Sequence, residues 1–168
     1  MLKIYLTGTE SSGKTTIAKA LSNHYACPWV PEYARQYLQE RGGKYEFEDL
    51  EVISQGQYDL EAQFGNRAPS KLILDTDQLV LYVWSMYKYG RVSPKIEHKL
   101  KAQKGGVHLL FRPDIAWEHD PLRESPNNRK MLFKKYKEAL EAYNLEYSIV
   151  EGEGEKRLLC AIKAIEAH

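Results

Sequence analysis

Gly8-Thr9-Glu10-Ser11-Ser12-Gly13-Lys14-Thr15 sets a glycine, four residues, and then Gly-Lys-Thr in a row, with Thr16 directly behind. That spacing lets the chain curl with its amide N–H groups facing inward, where they can cradle phosphate oxygens. A helix beginning at Lys14 adds the partial positive charge of its N-terminus, Lys14 sets an ammonium against the β and γ phosphates, and Thr15 offers a hydroxyl to magnesium. The chemistry expected of Gly8, Glu10, Ser11, Ser12, Gly13, Lys14, Thr15 and Thr16 is therefore binding of a nucleoside triphosphate.

Such a site needs a carboxylate near its magnesium, at the end of a neighbouring buried strand, and Asp75 closes the apolar run Leu72-Ile73-Leu74. Asp77 stands two residues on. The two can divide the work, one turned to magnesium and the other to the acceptor, although a carboxylate at 77 suits a helix cap equally well. Glu32 follows the short apolar pair Trp29-Val30, where it can take a proton from an acceptor hydroxyl; the other readings are a solvated or capping glutamate. Arg35, one helical turn further, steadies that carboxylate or a substrate, or is a surface arginine. Arg123 and Arg129 bracket a polar, proline-bearing stretch that reads as a lid over about residues 117–130, with arginines offsetting charge on a transferring phosphoryl group. Trp117 and Tyr33 are the candidates for stacking on a flat acceptor ring, against a plain packing role. Most of Tyr82, Trp84, Tyr87 and Tyr89 read as packing residues, and Glu151 to Gly154 as a loop for adenine or a simple turn.

Positioning these groups takes alternating strands and helices. Apolar runs at Leu2–Thr7, Trp29–Val30, Lys71–Asp75, Val107–Phe111 and Glu146–Val150 read as five strands. Helical periodicity covers Lys14–Tyr25, Tyr33–Gln39, Phe47–Phe64, Gln78–Tyr89 and Glu155–Ala167. The alternation predicts parallel strands joined by right-handed helical crossovers, with helices on both faces of the sheet.

The 168 residues are 43% hydrophobic and 28% charged, with 24 Lys plus Arg against 23 Asp plus Glu, for a net charge of +1. This composition suits a single globular domain over 1–168 and argues against bulk electrostatic binding to nucleic acid or to an anionic membrane. Cys27 and Cys160 fit no close-spaced metal or redox motif and read as buried thiols. With no membrane-length apolar run, and a motif starting at residue 8 that leaves no room for a cleavable signal, the expectation is a cytoplasmic protein; the oligomeric state is not legible.

Taken together, Gly8 to Thr16, Pro31-Glu32-Tyr33-Ala34-Arg35-Gln36-Tyr37, Leu74-Asp75-Thr76-Asp77 and Trp117 through Leu122-Arg123 resemble the ribosylnicotinamide kinase domain of NadR-type proteins, a branch of the P-loop kinases. The resemblance covers nearly the whole chain. It implies a P-loop NTPase fold, a three-layer α/β/α sandwich with a five-stranded parallel sheet and a lid loop. It also implies ATP and Mg2+ as cofactors, and transfer of the γ-phosphate to the ribose 5′-hydroxyl of nicotinamide riboside, giving nicotinamide mononucleotide. Carried over by position, Lys14 and Thr15 would serve phosphates and magnesium, Glu32 or Asp77 the ribose, and Trp117 an aromatic contact. Only the kinase portion of the bifunctional members is expected here, so no adenylyl transfer or repressor activity is predicted.

Overall fold

The computed structural model describes residues 1–67, 70–103, 105–124 and 126–168. The first strand, β1 (Leu2–Gly8), runs into the Gly8–Thr15 loop and then α1 (Lys14–Tyr25). The chain continues through β2 (Trp29–Val30), α2 (Tyr33–Glu40), α3 (Asp49–Gly65), β3 (Lys71–Leu74), α4 (Gln78–Tyr89) and α5 (Pro94–Ala102). It ends with β4 (Val107–Phe111), α6 (Arg129–Ala142), β5 (Tyr147–Val150) and α7 (Gly154–Glu166).

The strands pair in parallel in the order β2-β3-β1-β4-β5. β1, the strand that feeds the phosphate loop, lies at the centre, between β3 and β4, with Tyr5 opposite both Leu74 and His108. Period-two alternation divides the strand side chains between the two faces. Ile4, Leu6, Ile73, Val107, Leu109 and Phe111 pack with Ile17 and Leu21 of α1 and Ile162 and Ile165 of α7. On the opposite face Leu72 and Leu74 meet Leu60 and Phe64 of α3, and Leu110 meets Leu79, Val83, Leu132 and Leu140 of α4 and α6. This is a three-layer α/β/α arrangement, and all the strand C-termini open on one edge, where parallel sheets place their ligands.

Predicted element boundaries lie within two residues of the observed ones. Two helices occupy segments that the sequence reading leaves unassigned. α5 starts with a Ser93 hydroxyl accepting from the Lys95 amide and Pro94 at its first position, the usual chemistry of a helix start. α6 buries Leu132, Tyr136, Ala139 and Leu140 along one face. Because α6 begins at Arg129, the described irregular residues are 112–124 and 126–128, and Arg129 belongs to a helix and not to the predicted lid loop. The predicted break after α3 and the predicted lid include residues 68, 69 and 125, which lie outside the described residues.

Candidate active site

The phosphate loop is shaped by positions only some residues can occupy. Gly8 has φ 141°, and a Cβ there would stand 3.0 Å from the Phe111 carbonyl oxygen. Gly13 has φ 82° and Ser11 φ 54°, so the loop turns through left-handed conformations on either side of Ser12. The Ser12 hydroxyl donates to the Thr9 carbonyl at 2.7 Å, and the Lys14 ammonium donates to Gly8 O at 2.8 Å and Thr9 O at 2.7 Å. Burial pulls the Lys14 pKa down, while Asp75, Glu32 and Glu10 pull it back up. Thr9 Oγ1 is buried at this loop with no hydrogen-bond partner among the described residues. A backbone cradle, a half-buried ammonium and an orphaned hydroxyl together fit a phosphate group.

Behind the loop stands a residue that the sequence reading passed over. Arg157, 2% exposed, donates from α7 to Ser12 O at 2.8 Å, Arg112 O at 2.6 Å, Gly152 O at 2.7 Å and Asp114 Oδ1 at 2.6 Å. It ties the phosphate loop to the end of β4 and to the 151–154 turn. Its only sequence signal is a basic residue on the apolar face of a closing helix, which periodicity does not interpret.

Thr15 Oγ1 donates to Asp75 Oδ2 at 2.7 Å. A hydroxyl and a carboxylate side by side are hard oxygen donors of the kind magnesium takes beside substrate phosphates, so this pair fits the ion. Burial raises the Asp75 pKa, opposed by the Thr15 hydrogen bond and by Lys14. Glu32 occupies the N-cap position of α2, yet its side chain does not cap; Gln57 of α3 accepts from the Tyr33 amide at 2.8 Å instead. The Glu32 carboxylate lines the cavity. Burial and the neighbouring Asp75 push its pKa up to about 7, against the pull of Lys14.

Asp77 requires a correction. Its carboxylate caps α4, accepting from the Val80 amide at 3.1 Å, and accepts from Gln103 Nε2 at 2.7 Å with His108 Nε2 3.0 Å away. The side chain is fully buried beneath the sheet and does not line the cavity. The helix that follows β3 turns residue 77 inward, which the Asp75-Thr76-Asp77 spacing alone does not reveal.

The cavity, about 470 Å³, runs from the phosphate loop, including Gly8, Glu10, Ser11, Ser12, Gly13 and Thr16, to a far end walled by α2, α4, α6 and residues of the segment that the sequence reading takes as a lid, here the lid segment. Arg35 lines it and pairs with Asp120 of the lid segment at 2.6 Å. Arg123 also lines it, donating to the Glu118 carbonyl at 2.6 Å and lying 3.5 Å from Ser11 Oγ. Arg129 instead donates to Ser11 O at 3.2 Å and Ile115 O at 2.9 Å, joining the phosphate loop to the base of the lid segment without facing the cavity. The lid segment is further tied to the loop by the Glu118 amide donating to Ser11 Oγ and the Glu124 amide donating to Glu10 Oε2.

The aromatic predictions also change. Trp117 does not line the cavity; its ring lies beneath the guanidinium groups of Arg123 and Arg129, at 5.9 and 5.7 Å. Tyr33 packs on α3 so closely that a Cβ on Gly56 would come within 2.3 Å of its ring. The aromatic wall comes instead from Tyr45, Trp84, Tyr87 and Tyr136. Tyr45 and Trp84 meet edge to face at 4.9 Å, with Trp84 Nε1 donating to the Tyr45 hydroxyl at 2.8 Å.

Residues 3–157 match the family described as AAA domain. The chain belongs to that family. Among curated proteins, this AAA domain is 28% identical over 159 residues to the trifunctional NAD biosynthesis/regulator protein NadR of Escherichia coli (strain K12), a match covering 89% of this chain and 38% of that protein. The chain therefore spans about two fifths of that relative's length. Crystal structures of NadR protein, in complex with NAD and AMP-PNP and in complex with NR, superpose on the AAA domain with TM-scores of 0.80 and 0.79. Identity is 22% and 21%, over 99% of this chain and 49% and 50% of those chains. Deoxyadenosine kinase from M. mycoides has a TM-score of 0.67 at 15% identity, covering 99% of this chain and 100% of that one. The α/β fold is thus that of the P-loop kinases, and the resemblance to NadR-type proteins read from the residues recurs in these comparisons. Among the described residues no helix is long and apolar enough to cross a membrane.

Proposed function

We propose that the protein is an ATP- and magnesium-dependent kinase that phosphorylates the ribose 5′-hydroxyl of nicotinamide riboside to give nicotinamide mononucleotide. The observation that carries the reading is Glu32, a cavity carboxylate near the phosphate loop, left uncapped and with a pKa of about 7. A base poised near the working pH takes a proton from an acceptor hydroxyl as that oxygen attacks phosphorus. The hydroxyl oxygen forms a bond to the γ-phosphorus, the bond to the β–γ bridging oxygen breaks, ADP leaves, and the proton passes to Glu32.

The other residues divide the remaining work. Loop amides and Lys14 hold the β and γ phosphates, and Arg123 offsets charge that develops on the transferring group. Thr15 and Asp75 would hold magnesium, which neutralises phosphate charge when bound. The flat acceptor ring lies against the Tyr45 and Trp84 wall, with Leu38 and Leu122 excluding water. Support for the acceptor comes from the likeness to NadR proteins, one of them solved with NR.

A second reading, a kinase for another nucleoside, is favoured by that same wall: tyrosine and tryptophan faces accept any flat ring, and deoxyadenosine kinase shares the fold. The deciding experiment incubates purified protein with ATP, magnesium and either nicotinamide riboside, adenosine, cytidine, uridine or thymidine, and reads products by mass spectrometry. Selective formation of nicotinamide mononucleotide is expected. Selective phosphorylation of another nucleoside would move the assignment to it, and ATP binding without any phosphorylated acceptor would leave a nucleotide-dependent switch.

A further inference from the structure

Tyr136 of α6 is 6% exposed, and what it exposes opens on the cavity that it lines. Its hydroxyl makes no hydrogen bond with any described residue, yet it is not sealed from solvent as the orphaned Thr7 and Thr76 hydroxyls are. A phenol packed in a core normally finds a partner, because a buried donor left unpaired costs more than an ordinary hydrogen bond returns. Burial, with Asp77, Glu32 and Glu10 close by, raises the pKa of the Tyr136 phenol, so the group stays protonated and serves as a donor. Three carboxylates around it favour a neutral oxygen over an anionic one as its partner.

The place of Tyr136 along the cavity identifies that oxygen. α4 starts just after Asp75, at the phosphate end, and Val80, Trp84 and Lys88 line the cavity at successive turns of it. Tyr136 shares a core cluster with Val80 and Leu132, both of which line the cavity, whereas Trp84 packs on the cluster around Leu81 and Ile96. The hydroxyl therefore belongs to the level of Val80, one turn of α4, about 6 Å, nearer the phosphates than Trp84. With the 5′-hydroxyl at Glu32 and the flat ring at Trp84, the sugar spans this stretch, and its remaining neutral hydroxyls are those on C2′ and C3′. We propose that Tyr136 is a specificity-determining residue whose hydroxyl donates to a secondary hydroxyl of the acceptor's ribose, selecting ribosides over deoxyribosides. The proposal rests on the kinase reading above. The fold itself does not set this choice, since deoxyadenosine kinase shares it.

The test removes the hydroxyl from the protein and from the sugar in turn. For the wild type and Tyr136→Phe, kcat/KM is measured with nicotinamide riboside and its 2′-deoxy and 3′-deoxy forms, and with cytidine and its 2′-deoxy and 3′-deoxy forms. Tyr136→Phe should lower kcat/KM for the riboside about tenfold, the scale of one hydrogen bond lost from a buried site, and leave unchanged that of the deoxy form lacking the recognised hydroxyl. Because the phenol bonds nothing in the protein, the unfolding temperature should not fall, and each riboside-to-deoxyriboside ratio is read within one preparation. No fall, or an equal fall for the riboside and both deoxy forms, overturns the role of Tyr136 and spares the substrate assignment. A raised ATP KM with the acceptor KM unchanged would put the hydroxyl on the nucleotide and overturn it too. If cytidine is phosphorylated and nicotinamide riboside is not, the substrate assignment fails, and the cytidine series still decides for or against Tyr136. If ribosides bind without being phosphorylated, the kinase reading fails, and dissociation constants from calorimetry give the same ratios. Absence of any bound riboside overturns both.

Discussion

At the phosphate end of the cavity the wall is a single run, Gly8 to Thr16, presenting mostly backbone, whereas the far end, which we propose takes the acceptor, is assembled from side chains of α2, α4, α6, the lid segment and the turn bearing Tyr45. The first end depends on local backbone angles and on Arg157 behind it. The second depends on contacts such as Tyr45 to Trp84 and Tyr45 to Glu124, between residues 39 and 79 positions apart. Substitutions at the phosphate end should therefore damage turnover with every acceptor, while those at the far end should change which acceptor is used.

Lys14→Ala breaks the phosphate end most directly. It should lower kcat by about 10³-fold, the scale of removing one preorganised charge from a developing anion, when steady-state turnover is measured with any accepted riboside. Near-normal turnover would remove the basis for calling that end catalytic. Glu32→Gln tests the junction of the two ends and should cost about 10²-fold in kcat. With Glu32 as base, kcat/KM for the acceptor should rise with pH and level off above about 7, where the carboxylate is ionised; the glutamine variant should lose that rise. The stability sign is the reverse. A carboxyl whose pKa is raised on folding stabilises the fold most at low pH and loses that contribution as pH rises through about 7. Glu32→Gln should therefore raise the unfolding temperature at pH 8 and leave it nearly unchanged at pH 4.

The same division explains what the sequence made legible. Gly8 to Thr15 could be read because a phosphate cradle needs particular residue types at fixed short spacing, and its flanking strand and helix show clear periodicity. The place of Glu32 and Asp75 on the cavity, as distinct from their proposed roles, could be read because carboxylates follow strand ends on the edge where parallel sheets bind ligands. Asp77 could not: whether a carboxylate two residues past a strand faces the cavity or folds back as a cap depends on the direction of α4 and on Gln103 and His108, which meet it only in three dimensions. Trp84 and Tyr87 read as packing residues because half-buried aromatics on a helix look the same in sequence whether their neighbour is a core or a cavity. Tyr45 carried no local pattern, and Arg157 only that of a basic residue on an apolar helix face, which periodicity does not interpret.

Three smaller effects sharpen the contrast. Asp77→Ala removes a helix cap and the acceptor shared by Gln103 and His108, so chemical denaturation should show a loss of about 3 kcal/mol. At a temperature where the variant stays folded, its KM values should match the wild type; a raised acceptor KM would return Asp77 to the site. Tyr45→Phe keeps the ring but leaves Trp84 Nε1 and Glu124 without their shared hydroxyl, and should raise the acceptor KM about fivefold with the ATP KM unchanged.

The smallest change is expected from Trp117→Leu. The indole supports two lid-side guanidinium groups at nearly 6 Å and does not line the cavity, so its loss withdraws two weak cation–π contacts from arginines that keep their hydrogen bonds to Glu118, Ser11 and Ile115. Turnover should fall about twofold, through looser placement of Arg123, with the acceptor KM unaltered. An acceptor KM that rose further than in Tyr45→Phe would put the acceptor ring on Trp117 and break the assignment of the aromatic wall to Tyr45 and Trp84.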